Sequence, residues 1–213
     1  MTQFAYLHGF ASSSFSSKGQ KIAAAFHERG YEFHLPDLNR PSFEELTVTA
    51  MLQELDALAA AHPGESWCLI GSSMGGWLTS LWARENPDLV ERVVLLCPGF
   101  GLIERWPALL GDEGYASWRE RGVFDFPDGA GVVRPMHYGF IEDASTFDPM
   151  PEPVTDVLLI HGRQDETVPI ETSRTWAGRY PERVTMVEVE DGHRLSESVG
   201  EIITRAVAFF DLP

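Results

Sequence analysis

Short apolar runs recur along the chain, each closed by glycine, proline or aspartate. They are Phe4–His8, Tyr31–Leu35, Trp67–Gly71, Arg92–Cys97, Val157–His161 and Val184–Val189. Runs of this length bounded by turn residues predict buried strands. Between them apolar residues recur at helical spacing. Gly19–Arg29 carries Ile22, Ala25 and Phe26. Ser42 opens a long helix, with Glu45 three residues on as a capping box. Val48, Met51, Leu52, Leu55, Leu58 and Ala59 form its packing face, and His62-Pro63-Gly64 stops it. Further helices are expected over Gly75–Glu85, near Ile170–Gly178 and over Ser196–Phe210. Strands alternating with helices predict an α/β fold with a parallel sheet covered on both faces.

The alternation breaks between Phe100 and Pro153. That stretch shows no clear strand, and Trp106, Leu109 and Leu110 suggest one short amphipathic helix. It is rich in aromatic residues, among them Trp118, Phe124, Phe126 and Tyr138, which argues against disorder. A connection of such length in a compact domain is expected to be functional. It is read as a cap inserted over one end of the sheet, about residues 100–153.

A chain of 213 residues without a repeat or a linker fits a single domain, 1–213. The formal net charge of −16 argues against nucleic acid or an anionic membrane as partner, since phosphate binding needs clustered Lys and Arg. Cys68 and Cys97 both lie in apolar runs and read as reduced core residues. No Cys/His metal spacing occurs, so neither a metal nor another cofactor is expected. No apolar stretch is long enough to span a bilayer, and the first strand leaves no room for a signal segment. The cytoplasm is the expected location; oligomeric state is not encoded in these patterns.

One motif carries chemistry. The third run continues into Gly71-Ser72-Ser73-Met74-Gly75 and a helix follows. A serine at the tip of a tight strand-to-helix turn is held in a strained conformation, and bulky neighbours two residues away would collide. Gly71 and Gly75 remove those side chains, so Ser73 projects its hydroxyl. Ser72 is flanked by Ile70 and Met74 and does not qualify. In a parallel sheet the loops after each strand share one edge. The loop after the fifth strand brings Asp165 there, and the loop after the sixth brings His193. The loop after the first brings Gly9-Phe10. A serine needs a base within hydrogen-bond reach, and the base needs an orienting carboxylate.

With these residues in view, the chain resembles the α/β-hydrolases, in the branch of small bacterial serine esterases. Ser73, Asp165 and His193 follow that family's chain order. His161-Gly-Arg-Gln-Asp165-Glu-Thr-Val-Pro169 is similar to its acid loop, Asp191-Gly192-His193 to its histidine loop, and His8-Gly9-Phe10 to its oxyanion loop. The resemblance implies a minimal form of the fold, six strands in the order 2-1-3-4-5-6. It implies Ser73 as nucleophile, His193 as base and Asp165 as acid, with the amides of Phe10 and Met74 forming the oxyanion hole. The substrate would be a small acyl ester or thioester. Trp106, His137 and Tyr138 of the cap are candidate substrate contacts, with plain packing as the alternative.

Glu166, Glu190 and Asp191 are read as solvated, and Glu104 as a substitute acid should Asp165 be misplaced. Two other functions share the motif. The elbow Gly-x-Ser-Met-Gly-Gly also resembles that of hydrolases that cleave a carbon–carbon bond in meta-cleavage products. A hydrolase fold that binds ligand without turnover is the third reading.

Overall fold

The computed structural model describes the whole chain, Met1–Pro213. Its order of elements is β1 (Thr2–Leu7), α1 (Ser17–His27), β2 (Phe33–His34), α2 (Val48–Ala61), β3 (Ser66–Ser72), α3 (Met74–Glu85) and β4 (Val90–Leu96). Then follow α4 (Leu102–Arg121), β5 (Val123–Pro127), β6 (Val133–His137), α5 (Gly139–Ala144), β7 (Asp156–Gly162), α6 (Ile170–Arg179), β8 (Val184–Val189) and α7 (Val199–Phe209).

Six strands form one parallel sheet in the order β2-β1-β3-β4-β7-β8. The expected order 2-1-3-4-5-6 is corrected on this point. Two strands that the sequence reading missed, β5 and β6, lie in the insertion and pair with each other as an antiparallel hairpin.

The alternation of side chains along each strand sorts the core into two layers. Phe4, Tyr6, Cys68, Ile70, Val94, Leu96, Leu158 and Ile160 point to one face, where Ile22, Ala23 and Phe26 of α1 and Ile202 and Ala206 of α7 cover them. Ala5, Leu7, Trp67, Leu69, Val93, Leu95, Val157 and Leu159 point to the other, under α2, α3 and α6. Each fully buried side chain of this kind contributes about 1.5–3 kcal/mol. The central strands are apolar on both faces because both are covered. No helix is long and apolar enough to cross a membrane.

The insertion packs on the second layer. Trp106, Trp118, Phe126, Met136, Phe140 and Ile141 join that core. Helix α4 is far longer than the short helix expected from Trp106 and Leu109. It is broken at Gly111, whose φ of 72° leaves the helical region. Thr49 of α2 ties α5 down through its backbone N–H and hydroxyl, both donated to Asp143. Arg134 of β6 bridges Asp128 and Glu44.

Three further expectations change. Ser42 does not start α2. Its hydroxyl accepts the Glu45 N–H at 3.2 Å in an isolated turn, and the helix starts at Val48, behind Thr47, whose hydroxyl accepts the Ala50 N–H. The second strand is two residues long rather than five. The last helix begins at Val199 rather than Ser196, because Asp191 organises the preceding loop.

Candidate active site

The strand-to-helix turn at Ser73 has the geometry that its glycines predict. Ser73 sits between β3 and α3 at φ 55°, ψ −123°. A Cβ on Gly71 would lie 2.4 Å from the Gly75 carbonyl oxygen and 2.2 Å from the Thr79 hydroxyl. One on Gly75 would lie 2.2 Å from the Leu7 carbonyl oxygen. Neither position has room for any side chain. Ala11, Cys97 and Leu195 also hold positive φ, at 51°, 43° and 51°. Four of the five non-glycine residues in that region thus lie in loops that converge on one rim. Strain of about 1–3 kcal/mol per residue persists only where the surroundings over-determine it.

Ser73, His193 and Asp165, far apart in sequence, meet there. His193 Nε2 lies 2.9 Å from Ser73 Oγ, and its Nδ1 lies 2.7 Å from Asp165 Oδ2. The two loops touch through backbone: a Cβ on Gly162 would fall 2.3 Å from the Asp191 carbonyl oxygen, and the Gln164 N–H donates to that oxygen at 3.0 Å.

Asp165 is surrounded by donors. Its Oδ1 accepts the N–H groups of Thr167 and Val168, both at 2.8 Å. Its Oδ2 also meets Nε2 of the fully buried His161 at 3.1 Å. Burial pushes the Asp165 carboxyl up, but the hydrogen bonds from His161, His193 and Val168 outweigh it and hold the group well below the usual carboxylate range. His161 in turn reaches Ser173 Oγ at 2.8 Å and the Val168 carbonyl at 3.0 Å. It therefore fixes the acid loop, a role that its place at a strand end only hinted at.

Phe10 follows Gly9, where an added Cβ would stand 3.1 Å from Ser73 Cβ. Met74 is the first residue of α3, so its N–H has no intrahelical acceptor and the positive end of the helix faces the rim. The loop that carries Phe10 is held from two sides. Asn39 Nδ2 donates to the Ser12 carbonyl at 3.0 Å. Gly129, in the hairpin turn, lies against Ser12 so closely that a Cβ would come within 2.7 Å of its carbonyl carbon. A cleft of about 680 Å³ opens beside this contact, lined by Ser12, Ser13, Asn39, Glu44, Asp128 and Arg134 among others.

The cap residues named from sequence are dispersed. Trp106 is buried against the Phe10 ring, centroids 5.4 Å apart, and against Trp118 and Phe126. Tyr138 Oη pairs with Tyr115 Oη at 3.2 Å. His137 is half exposed, 3.5 Å from Glu45. Hydrogen bonds join none of the three to Ser73 or His193. Glu104 is exposed and Glu190 pairs with Arg163, so neither competes with Asp165.

Asp191 is half-buried, and beyond the solvated role expected of it, it organises a loop. Its carboxylate accepts the N–H groups of Gly192, Glu197 and Ser198 and the Ser198 hydroxyl, at 2.7–3.0 Å. It folds the histidine loop onto the start of α7. The acid followed seven residues on by Ser198 was the one sequence signal for it. Lys18 secures the same loop from α1, donating to the Arg194 carbonyl at 2.9 Å. Asp191→Ala is expected to lower kcat about tenfold or more and the melting temperature by several degrees, since it removes several loop-organising hydrogen bonds, each worth about 1 kcal/mol. Steady-state kinetics and a thermal melt would check it; unchanged kcat would count against Asp191 as a positioning residue.

A metal is poorly accommodated. Donor atoms of Cys97, Asp165 and His193 lie within 4.8 Å of one another, yet both ring nitrogens of His193 are already engaged. Cys97 is free and buried, and burial pushes its thiol up, away from reactive thiolate.

No curated protein matches this chain in sequence. Solved structures do match its fold. Est1E of Butyrivibrio proteoclasticus, with ferulic acid bound, is 20% identical with a TM-score of 0.82, over 99% of this chain and 88% of its own. The mouse alpha/beta hydrolase domain-containing protein 10 is 22% identical with a TM-score of 0.77, over 98% and 89%. A monoacylglycerol lipase of Paleococcus ferrophilus is 18% identical with a TM-score of 0.73, over 97% and 93%. Identities this low establish shared architecture, that of the α/β-hydrolases. At the level of sequence, the model that matches is that of UPF0227, an uncharacterised protein family; it spans residues 3–211, and the chain belongs to that family.

Proposed function

We propose that the protein is a serine hydrolase of carboxylic esters, thioesters included, acting through an acyl-enzyme on Ser73. The observation that carries this reading is the continuous hydrogen-bonded relay from Ser73 Oγ through His193 to Asp165. The names of the fold's neighbours, an esterase and a lipase among them, lend support at the level of class.

The proposed steps use that relay. Ser73 Oγ attacks the acyl carbon while His193 Nε2 takes its proton. Asp165 holds the Nδ1–H tautomer and stabilises the imidazolium. The carbonyl oxygen, now negative, faces the N–H groups of Phe10 and Met74, each worth about 3 kcal/mol in the transition state. His193 then gives its proton to the departing alkoxide or thiolate, and the acyl group remains on Ser73. Water repeats the attack with His193 as base and releases the acid. Esters outrank amides because an amine is harder to expel and no further device for it accompanies the relay.

A fluorophosphonate probe and a series of p-nitrophenyl esters of rising acyl length test the reading together. Covalent labelling at Ser73 with turnover of short esters is expected. Labelling without turnover of any ester would overturn the esterase assignment, and absence of both would overturn the hydrolase assignment.

A further inference from the structure

Arg105, in the first turn of α4, is the one arginine that is neither exposed nor paired. Arg40, Arg84 and Arg92 are likewise not exposed, and each meets a carboxylate. The chain has 32 acidic residues against 16 Lys and Arg, so a cation left without a carboxylate is not for want of partners. Arg105 Nη1 donates to the Phe100 carbonyl. Its Nε and Nη2 are buried and have no hydrogen-bond partner. Those two nitrogens form one edge of the guanidinium plane, the fork that receives both oxygens of a carboxylate.

Its position is at the catalytic rim. Phe100 follows Gly99, whose N–H donates to the Ser73 carbonyl at 2.8 Å. A Cβ on Gly99 would fall 3.1 Å from Met74 N. The loop that Arg105 grips is therefore the one packed on the nucleophile elbow. Burial lowers the guanidinium pKa, and the charges of Asp165 and Glu104 oppose that, though neither carboxylate forms an ion pair with it. Asp165 itself does not need the arginine, because its two oxygens already meet Thr167, Val168, His193 and His161.

We propose that Arg105 is a specificity-determining residue whose free Nε–Nη2 edge receives the carboxylate of an ester substrate that itself carries a negative charge. The proposal rests on the ester-hydrolase reading above. A protein of net charge −16 repels anions at long range, so selecting one requires a local cation held ready. The two N–H groups are shielded from water, where a charge-assisted pair is stronger than at a wet surface. Leaving them unpaired in the free protein opposes stability, the pattern expected where a ligand completes the network.

The test compares charged and neutral esters by proton release. Monoethyl glutarate and monoethyl adipate, against ethyl butyrate, place the charge on the acyl side. 4-Acetoxybenzoate, against phenyl acetate, places it on the alcohol side. In at least one arm the charged ester is expected to be favoured in kcat/KM. Arg105→Gln should lower the charged-over-neutral ratio about 10- to 100-fold, and Arg105→Lys should recover only part of it, since an ammonium lacks the fork. An unchanged ratio in Arg105→Gln, or preference for the neutral ester in both arms, would overturn the proposal. Arg105→Met serves as the folding control: removal of an unpaired buried charge should leave the melting temperature equal or higher. A lower melting temperature with equal losses on charged and neutral esters would assign the residue a structural role instead. Should no ester be cleaved, the hydrolase reading fails separately. Calorimetry of glutarate on Ser73→Ala protein, with and without Arg105→Gln, then decides: binding lost with the arginine supports the proposal, and absence of binding overturns it.

Discussion

Ser73→Ala is expected to reduce kcat by about 10⁴- to 10⁶-fold, the scale seen when a nucleophile is removed from a serine–histidine pair. Fluorophosphonate labelling should vanish with it. The fold should survive, because Ser73 Oγ makes its hydrogen bond to His193 alone. A second substitution at the same position separates chemistry from strain. Ser73 holds φ 55°, a region that costs a side-chain-bearing residue about 1–3 kcal/mol and glycine little. Ser73→Gly should therefore be as inactive as the alanine variant and melt at a higher temperature. If glycine melts no higher than alanine, the elbow stores no strain. If alanine retains ordinary turnover, the acyl-enzyme proposal is lost.

Asp165→Asn has the next largest expected effect, a fall in kcat of about 10³- to 10⁴-fold through the wrong imidazole tautomer. Donors surround both oxygens: two backbone N–H groups on Oδ1 and two histidines on Oδ2. An amide must turn its NH₂ toward one pair or the other, so two acceptor bonds are lost in either orientation. A lower melting temperature should accompany the lost activity. The pH dependence has a definite sign. The carboxyl is held below its unfolded value, so its contribution is full above about pH 5 and is lost as pH falls below about 4. The gap in melting temperature between the native protein and Asp165→Asn should be widest near neutrality and narrow in acid. A gap that widens on acidification would contradict the assignment of the charge.

What could be read in advance follows from how local each signal is. The central strands were legible because burial on both faces leaves unbroken apolar runs such as Val93–Leu96. The elbow was legible because backbone crowding at Gly71 and Gly75 admits no side chain, and that constraint is written within five residues. The hairpin was hidden. β6 carries Arg134 and Pro135 and buries only Met136, so its register is set by the partner strand and by Arg134 bridging to Asp128 and Glu44, neither of which is periodic. Ser42 and Glu45 carry a helix-start pattern that the structure spends on a lone turn, and Thr47 takes the capping position because the packing face begins at Val48. Asp191 and Arg105 illustrate the hardest class. A charged residue in sequence looks solvated by default, and only the folded chain reveals that one anchors a loop and that the other is enclosed without a counterion.

The contact between Gly129 and Ser12 limits how freely the proposed hydrolase could be re-engineered. The segment that would choose the ligand leans directly on the strip of backbone that would polarise it, so selectivity and reactivity are not separable modules. Transplanting residues 100–153 from a relative with different preferences would retune the rate along with the appetite, unless the stretch from Gly9 to Ser13 travelled with the graft.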